Sequence, residues 1–389
     1  MEGCVPIAAL YAIMFEKTGG LDLQQIGLLF SAWSLAYLVA ELPSGVLADY
    51  WSRKQVIALG GLVRAAGFAI WLIWPTFTGY LVGFALWGVA IACTSGAVAA
   101  FLHNELRAHG RDGQFAKYYG WLMSAFYLGT LSGYGLAALL TLKHSALLIG
   151  CSMVLSGGFG LLMLFTKESP YKKQATYIKT LIAAALEVKK SKLLQYICFV
   201  TFAVYMVIGV LEELLPRLYS GFGLSDTGVS VTLAISLLAT IVLVTRLEAF
   251  VRFSLAKQAL VMAGGLGVLI AGLKLGGMGA VALILVFDLI FQLFRPVFMH
   301  HIQEASDGDQ RATIASVPGL AAGLFGAAAY FIIGHVAHGS SERFSIGIYA
   351  AFWLAVAIAL AFAGRSFVLR RKQFSPVEEA VVLYNKDKP

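Results

Sequence analysis

Three polar side chains stand in register within an otherwise apolar stretch: Asp288, Gln292 and Arg295. Their spacing of i, i+4 and i+7 puts them on one face of a helix. An acid, an amide and a guanidinium on one stripe can bind a polar solute or balance each other's charge. The carboxylate can also take up and release a proton. A second acidic group, Glu212-Glu213, precedes Pro216-Arg217. It can bind a proton or a cationic solute, with an ion pair to Arg217 as the structural alternative. Glu41 lies a few turns before Asp49; it can carry a proton or pair with Arg64. Charges in apolar surroundings are costly, face a bundle interior or water, and mark solute and ion pathways. Asp288, Gln292, Arg295, Glu212, Glu213 and Glu41 are therefore the candidate substrate or coupling-ion residues.

The elements that position these groups must be membrane helices. Hydrophobic residues make up 59% of the 389 residues and charged ones 13%, against about 25% charged in soluble domains. The apolar residues come in long runs rather than in the alternation of a porin strand. Spans of about 20 apolar residues are predicted near 24–48, 55–74, 78–102, 117–140, 145–166, 193–216, 227–245, 255–275, 279–302, 312–337 and 344–364. A further segment, Cys4 to Phe15, reaches only about 18 Å as a helix, too little for a hydrocarbon core of about 30 Å. It is counted as a truncated first span. The expectation is that the natural chain begins upstream of Met1, or that this helix end borders cytoplasmic water. The fold class is thus an all-α membrane protein of two six-helix bundles.

Charge sets the orientation. If Asp49 to Lys54 is cytoplasmic, the other side holds only Lys17, Lys143, Arg217, Lys274 and Arg343, while Arg64 and Arg295 lie within helices. The remaining Lys and Arg fall on the cytoplasmic side, as the positive-inside rule requires. The net charge of +8 is therefore a topology signal with some attraction to anionic lipid, and no nucleic-acid partner is expected. The longest polar stretch divides the chain: an N-terminal bundle over 1–166, a basic linker over 167–192, a C-terminal bundle over 193–364 and a cytoplasmic tail over 365–389. Within the linker, Tyr177 to Lys190 is predicted to form an amphipathic helix. The spacings Gly129/Gly133 and Gly319/Gly323 allow close helix packing.

Between the second and third spans the chain reads Gly45-Val46-Leu47-Ala48-Asp49-Tyr50-Trp51-Ser52-Arg53-Lys54. This resembles the signature loop of the major facilitator superfamily, G-x-L-A-D-R-x-G-R-K, with Tyr50 and Ser52 in place of the usual Arg and Gly. Glu41-Leu42-Pro43-Ser44 before it, and Arg311-Ala312-Thr313 with Ser316 near the eleventh span, are similar to the family as well. The resemblance implies a conformational latch made by Gly45, Asp49, Arg53 and Lys54, a central cavity lined by the tenth span, and alternating access between two halves. Drug/proton antiporters of this family usually carry an Arg in the fourth span and a Gly-Pro signature in the fifth. Val82 to Leu102 has no Arg, and Gly129 to Gly135 has no Pro.

No nucleophile elbow, nucleotide loop or metalloprotease motif is present, so neither an enzyme nor an ATP-driven pump is expected. His300-His301 and His335/His338 lack further ligands at metal spacing, and no metal or cofactor is expected. The sequence reads as a secondary transporter, a monomer, crossing the inner (plasma) membrane of a bacterium many times. Its partners are a small-molecule substrate, membrane lipid and a coupling ion, taken as the proton. Ion-coupled export of a small organic solute is the first reading. Proton-coupled import of a small polar solute is the second, and a membrane enzyme or receptor on the same scaffold the third.

Overall fold

A backbone inside hydrocarbon must satisfy its own hydrogen bonds, which leaves helices as the solution for such apolar runs. The computed structural model describes residues 3–170, 177–306 and 311–367, and there the chain is helical. The elements before the linker are α1 (Tyr11–Lys17), α2 (Leu23–Tyr50), α3 (Arg53–Ile73), α4 (Phe77–Ser95), α5 (Ala97–Ala108), α6 (Phe115–Leu140) and α7 (Ser145–Phe165). α8 (Tyr177–Lys190) is the linker helix. After it come α9 (Lys192–Gly221), α10 (Asp226–Val244), α11 (Leu247–Val251), α12 (Leu255–Leu275), α13 (Gly277–Ala305), α14 (Arg311–His338) and α15 (Glu342–Gly364). Eleven stretches are long and apolar enough to cross a membrane. The first segment is not one of them: a 3-10 turn at Pro6–Ala9 runs into the seven-residue α1. The Ser152 hydroxyl accepts the Ile7 N–H at 3.1 Å and so satisfies one of that turn's donors.

Helix starts are marked by side chains that accept the free N–H groups of the first turn. Asp22 opens α2 with a full capping box to Gln25. Ser52, Thr76, Ser191, Ser225, Ser254 and Ser341 each accept one first-turn N–H of α3, α4, α9, α10, α12 and α15. Pro216 lies inside α9 and Pro296 inside α13. Each lacks an N–H, so the carbonyl four residues back, at Glu212 and at Gln292, is released from the helical ladder.

Helices from the two sides of the linker pack as α2 on α14 and as α6 on α10. The first pair is close. Ser31 donates to the Ala327 carbonyl at 2.8 Å, and Ser34 to that of Gly323 at 2.7 Å. A Cβ on Gly27 would come within 2.6 Å of the Tyr330 carbonyl oxygen, and one on Gly334 within 2.9 Å of that of Leu23. Gly27→Val should therefore force the two helices apart. Overpacking of this kind costs about 1–3 kcal/mol, seen as a lower melting midpoint of the detergent-solubilised protein by tryptophan fluorescence. An unchanged midpoint would show that these helices give way freely.

Ion pairs lock the outer ends. Arg217, nearly buried, reaches Glu16 at 3.0 Å and Glu342 at 3.3 Å. Lys17 pairs with Asp226 at 3.6 Å, and His338 approaches Asp22 at 3.7 Å. Asp226 also accepts the Leu142 N–H at 3.1 Å, and Thr227 donates to the Ala138 carbonyl at 2.8 Å. Among the described residues, the ion pairs that join the parts of the chain before and after the linker all lie at these outer ends. These contacts hold the outer ends of the two parts together.

Candidate functional site

A cavity of about 210 Å³ lies between the two parts of the chain. α2 contributes Trp33, Ser34 and Tyr37. α9 contributes Tyr205, Gly209, Glu212 and Glu213, α13 contributes Arg295, and α14 contributes Gly319, Gly323, Gly326 and Tyr330. Arg295 Nη2 meets Glu212 Oε2 at 2.9 Å, and both side chains remain about two-fifths exposed, 40% and 45%. The Nε–H of Arg295 has no partner, so the guanidinium keeps a donor in reserve. Tyr330 donates to the Gly209 carbonyl at 2.6 Å and ties α14 to α9 above the cavity. Gly319 and Gly323 keep the wall thin. A Cβ on either would meet only the rings of Tyr205 and Tyr37, at 3.6 and 3.8 Å.

Glu212 and Glu213 are thus not paired with Arg217. α9 continues through Pro216 to Gly221, so the two acids lie about 12 Å from its outer end. Arg217 turns instead to Glu16 and Glu342. The stripe Asp288–Gln292–Arg295 divides its work. Asp288 is buried, accepts the Ser236 hydroxyl of α10, and is approached by the Gln292 amide at 3.4 Å. Only Arg295 of the three lines the cavity. Glu41 takes the Ser95 hydroxyl at 3.0 and 3.1 Å, while Arg64 donates to Ser156 at 3.0 Å, so these two do not pair with each other. Tyr37, one turn before Glu41 on α2, borders the cavity.

The loop before α3 is tied to the end of α7 and the start of the linker. Ser52 Oγ and the Arg53 N–H both bond Glu168, the latter at 3.0 Å. Arg53 Nη1 reaches the Ala100 carbonyl and Lys54 Nζ that of Thr166, each at 2.8 Å. Glu168 thereby sets an anion at the N-terminus of α3, where the helix dipole favours it. Ser52 has φ −168°, extended backbone that any residue adopts, so the usual Gly is not needed here. Gly45 faces open space. The side chains of Leu42, Asp49, Tyr50 and 311–313 lie outside the described residues.

A sequence profile described as Major Facilitator Superfamily matches residues 5–330. The chain belongs to that superfamily. Among curated proteins, an uncharacterised MFS-type transporter of Methanocaldococcus jannaschii is 28% identical over 129 residues. That match covers 33% of this chain and only 32% of the relative's length. Among solved structures, nucleoside transporter NupG superposes with a TM-score of 0.75 at 16% identity, over 94% of this chain and 96% of its own. A D-xylose-proton symporter gives 0.72 at 14%, over 95% and 94%. A bacterial homologue of the lysosomal transporter Spinster, in an inward-facing unoccupied state, gives 0.69 at 15%, over 96% and 95%. These likenesses establish the twelve-helix fold of the superfamily. Together with the profile they support a multi-pass membrane protein of that superfamily.

Sequence reasoning missed the aromatic wall of this superfamily member. Trp33 and Tyr37 are spaced i, i+4 on α2, a signal that polar-tipped aromatics inside a span share one face. It missed Glu168 because its partners at Ser52 and Arg53 come from a distant loop.

Proposed function

We propose that the protein is a proton-coupled transporter of a small polar solute in the cytoplasmic membrane, with the cavity around Arg295 as its site. The observation that supports this most is the Glu212–Arg295 pair, half-exposed in a cavity walled by both parts of the chain. Protonation of Glu212 removes its charge and frees the guanidinium for a solute oxygen. Glu213 beside it offers a second acid on the same wall. Tyr37, Tyr205 and Tyr330 add aromatic faces and hydroxyls, which suit a ring that carries hydroxyl groups. The D-xylose-proton symporter and the nucleoside transporter share the fold and support this choice by analogy. Export of a small organic molecule is the weaker reading, because the polar lining and the lack of antiporter signatures do not favour it.

Proteoliposomes test it. Sugars, polyols and nucleosides are screened by how far each raises the melting midpoint, and those that do are offered as labelled solutes with the outside acidified. Uptake that follows the pH gradient and collapses with a protonophore is expected. Solute movement indifferent to the gradient, or proton flux opposite to solute, would sink the proposal.

A further inference from the structure

A second groove, of about 400 Å³, opens between α12 and α15 at their outer ends. Its walls are apolar, with Ile270 and Leu273 on α12 and Phe344 and Ile348 on α15, and its rim holds two cations, Lys274 and Arg343. The outer surface has few cations to spare. Lys17 and Arg217 are spent on ion pairs that close the gate. Lys274 and Arg343 have no carboxylate within ion-pair distance among the described residues. Arg343 is held in place, donating to the Gly221 carbonyl at 2.8 Å and lying 4.2 Å over the Phe222 ring. Lys274 is exposed at the last turn of α12.

We propose that this groove is a specific site for one anionic phospholipid of the outer leaflet, its phosphate between Lys274 and Arg343 and an acyl chain along Leu273 and Ile348. Three features support a lipid over a soluble anion. The cations sit at headgroup level, at the outer end of one span and the start of another. The groove below them is apolar. Gly347 on its wall faces open space, with nothing within 4 Å of where a Cβ would stand. The larger groove of about 860 Å³ between α9, α14 and α15 has no charged residue on its lining, so chains enter it without regard to headgroup. The proposed site also touches the gate. Arg343 follows Glu342, which holds Arg217, and it grips the C-terminal end of α9. A lipid there stiffens the elements that close the outer side.

Native mass spectrometry of the full chain from nanodiscs decides the matter. Discs of equal phosphatidylglycerol and phosphatidylcholine are used, and the lipids retained after mild activation are counted. Each cation near the surface adds roughly a fivefold preference for anionic lipid, so phosphatidylglycerol should be retained at least about fivefold over phosphatidylcholine. Lys274→Gln, at an exposed side chain without an ion pair, should cut that preference about fivefold and leave the share that Arg343 carries. Gly347→Leu should lower retention severalfold with both cations intact, because the side chain occupies groove space beside Ile348. Lys143→Gln, an outer cation away from the groove, should change nothing. Equal retention of the two lipids, or a preference that survives both Lys274→Gln and Gly347→Leu, overturns the site. Displacement by inorganic phosphate with no effect of Gly347→Leu would assign the cations to a free anion and overturn the lipid.

Discussion

Arg295→Ala should lower solute transport by roughly ten- to a hundredfold while the protein still reaches the membrane and stays monodisperse. The guanidinium is the cation on the cavity wall and holds Glu212 at 2.9 Å. Truncating one partner of a buried, hydrogen-bonded charge pair costs about 2–5 kcal/mol. Both side chains here are partly open to the cavity, so the lower part of that range applies, and every 1.4 kcal/mol is about tenfold. Two companion variants separate binding from packing. Arg295→Lys keeps the charge but loses the planar fork and should recover only part of the rate. Glu212→Gln should keep solute binding but lose the response to an imposed pH gradient. The measurements are initial rates in proteoliposomes and solute-induced shifts of the melting midpoint. A normal rate for Arg295→Ala would reduce the residue to a packing role.

Arg217→Gln should open the outer side. The residue is nearly buried and ties Glu16, from before the linker, to Glu342, from after it. Its loss leaves two carboxylates facing each other without a cation. With Glu16 half-exposed and Glu342 mostly buried, the outward-closed state should lose on the order of 2 kcal/mol, which moves the equilibrium roughly thirtyfold. The readout is a single cysteine on the cavity wall, Gly326→Cys in a background with the native cysteines replaced, labelled by a maleimide that does not cross the membrane. Gly326 leaves room for the side chain, since a Cβ there comes no nearer than 3.9 Å to the Ser34 Oγ. Labelling from outside should speed up by about that factor, and Arg217→Lys should lie between. An unchanged labelling rate would mean that the remaining outer contacts close that side without Arg217.

The sequence alone determined the membrane class and the spans, because each rests on local properties. A bilayer demands about 20 apolar residues per helix, and the cation bias follows from insertion. The linker helix is a case in point: Tyr177–Lys190 is expected from its charge pattern and is observed with those limits. The Ser and Asp caps are equally local. Partner choice is not. Glu212 could have turned to Arg217 nearby on its own helix, but it meets Arg295 from α13, eighty-three residues away. Asp288 shares a helical face with Arg295, yet Ser236 of α10 captures it and removes it from the cavity. Arg217 is drawn to Glu16 and Glu342, which no spacing connects. In each case a charge takes the partner that helix packing brings within hydrogen-bond reach, since leaving a charge unpaired away from bulk water costs more than any preference its neighbours in sequence can express. The spans were therefore legible residue by residue, while the site and the outer ion pairs were decided by which helices of the two parts of the chain lie against each other.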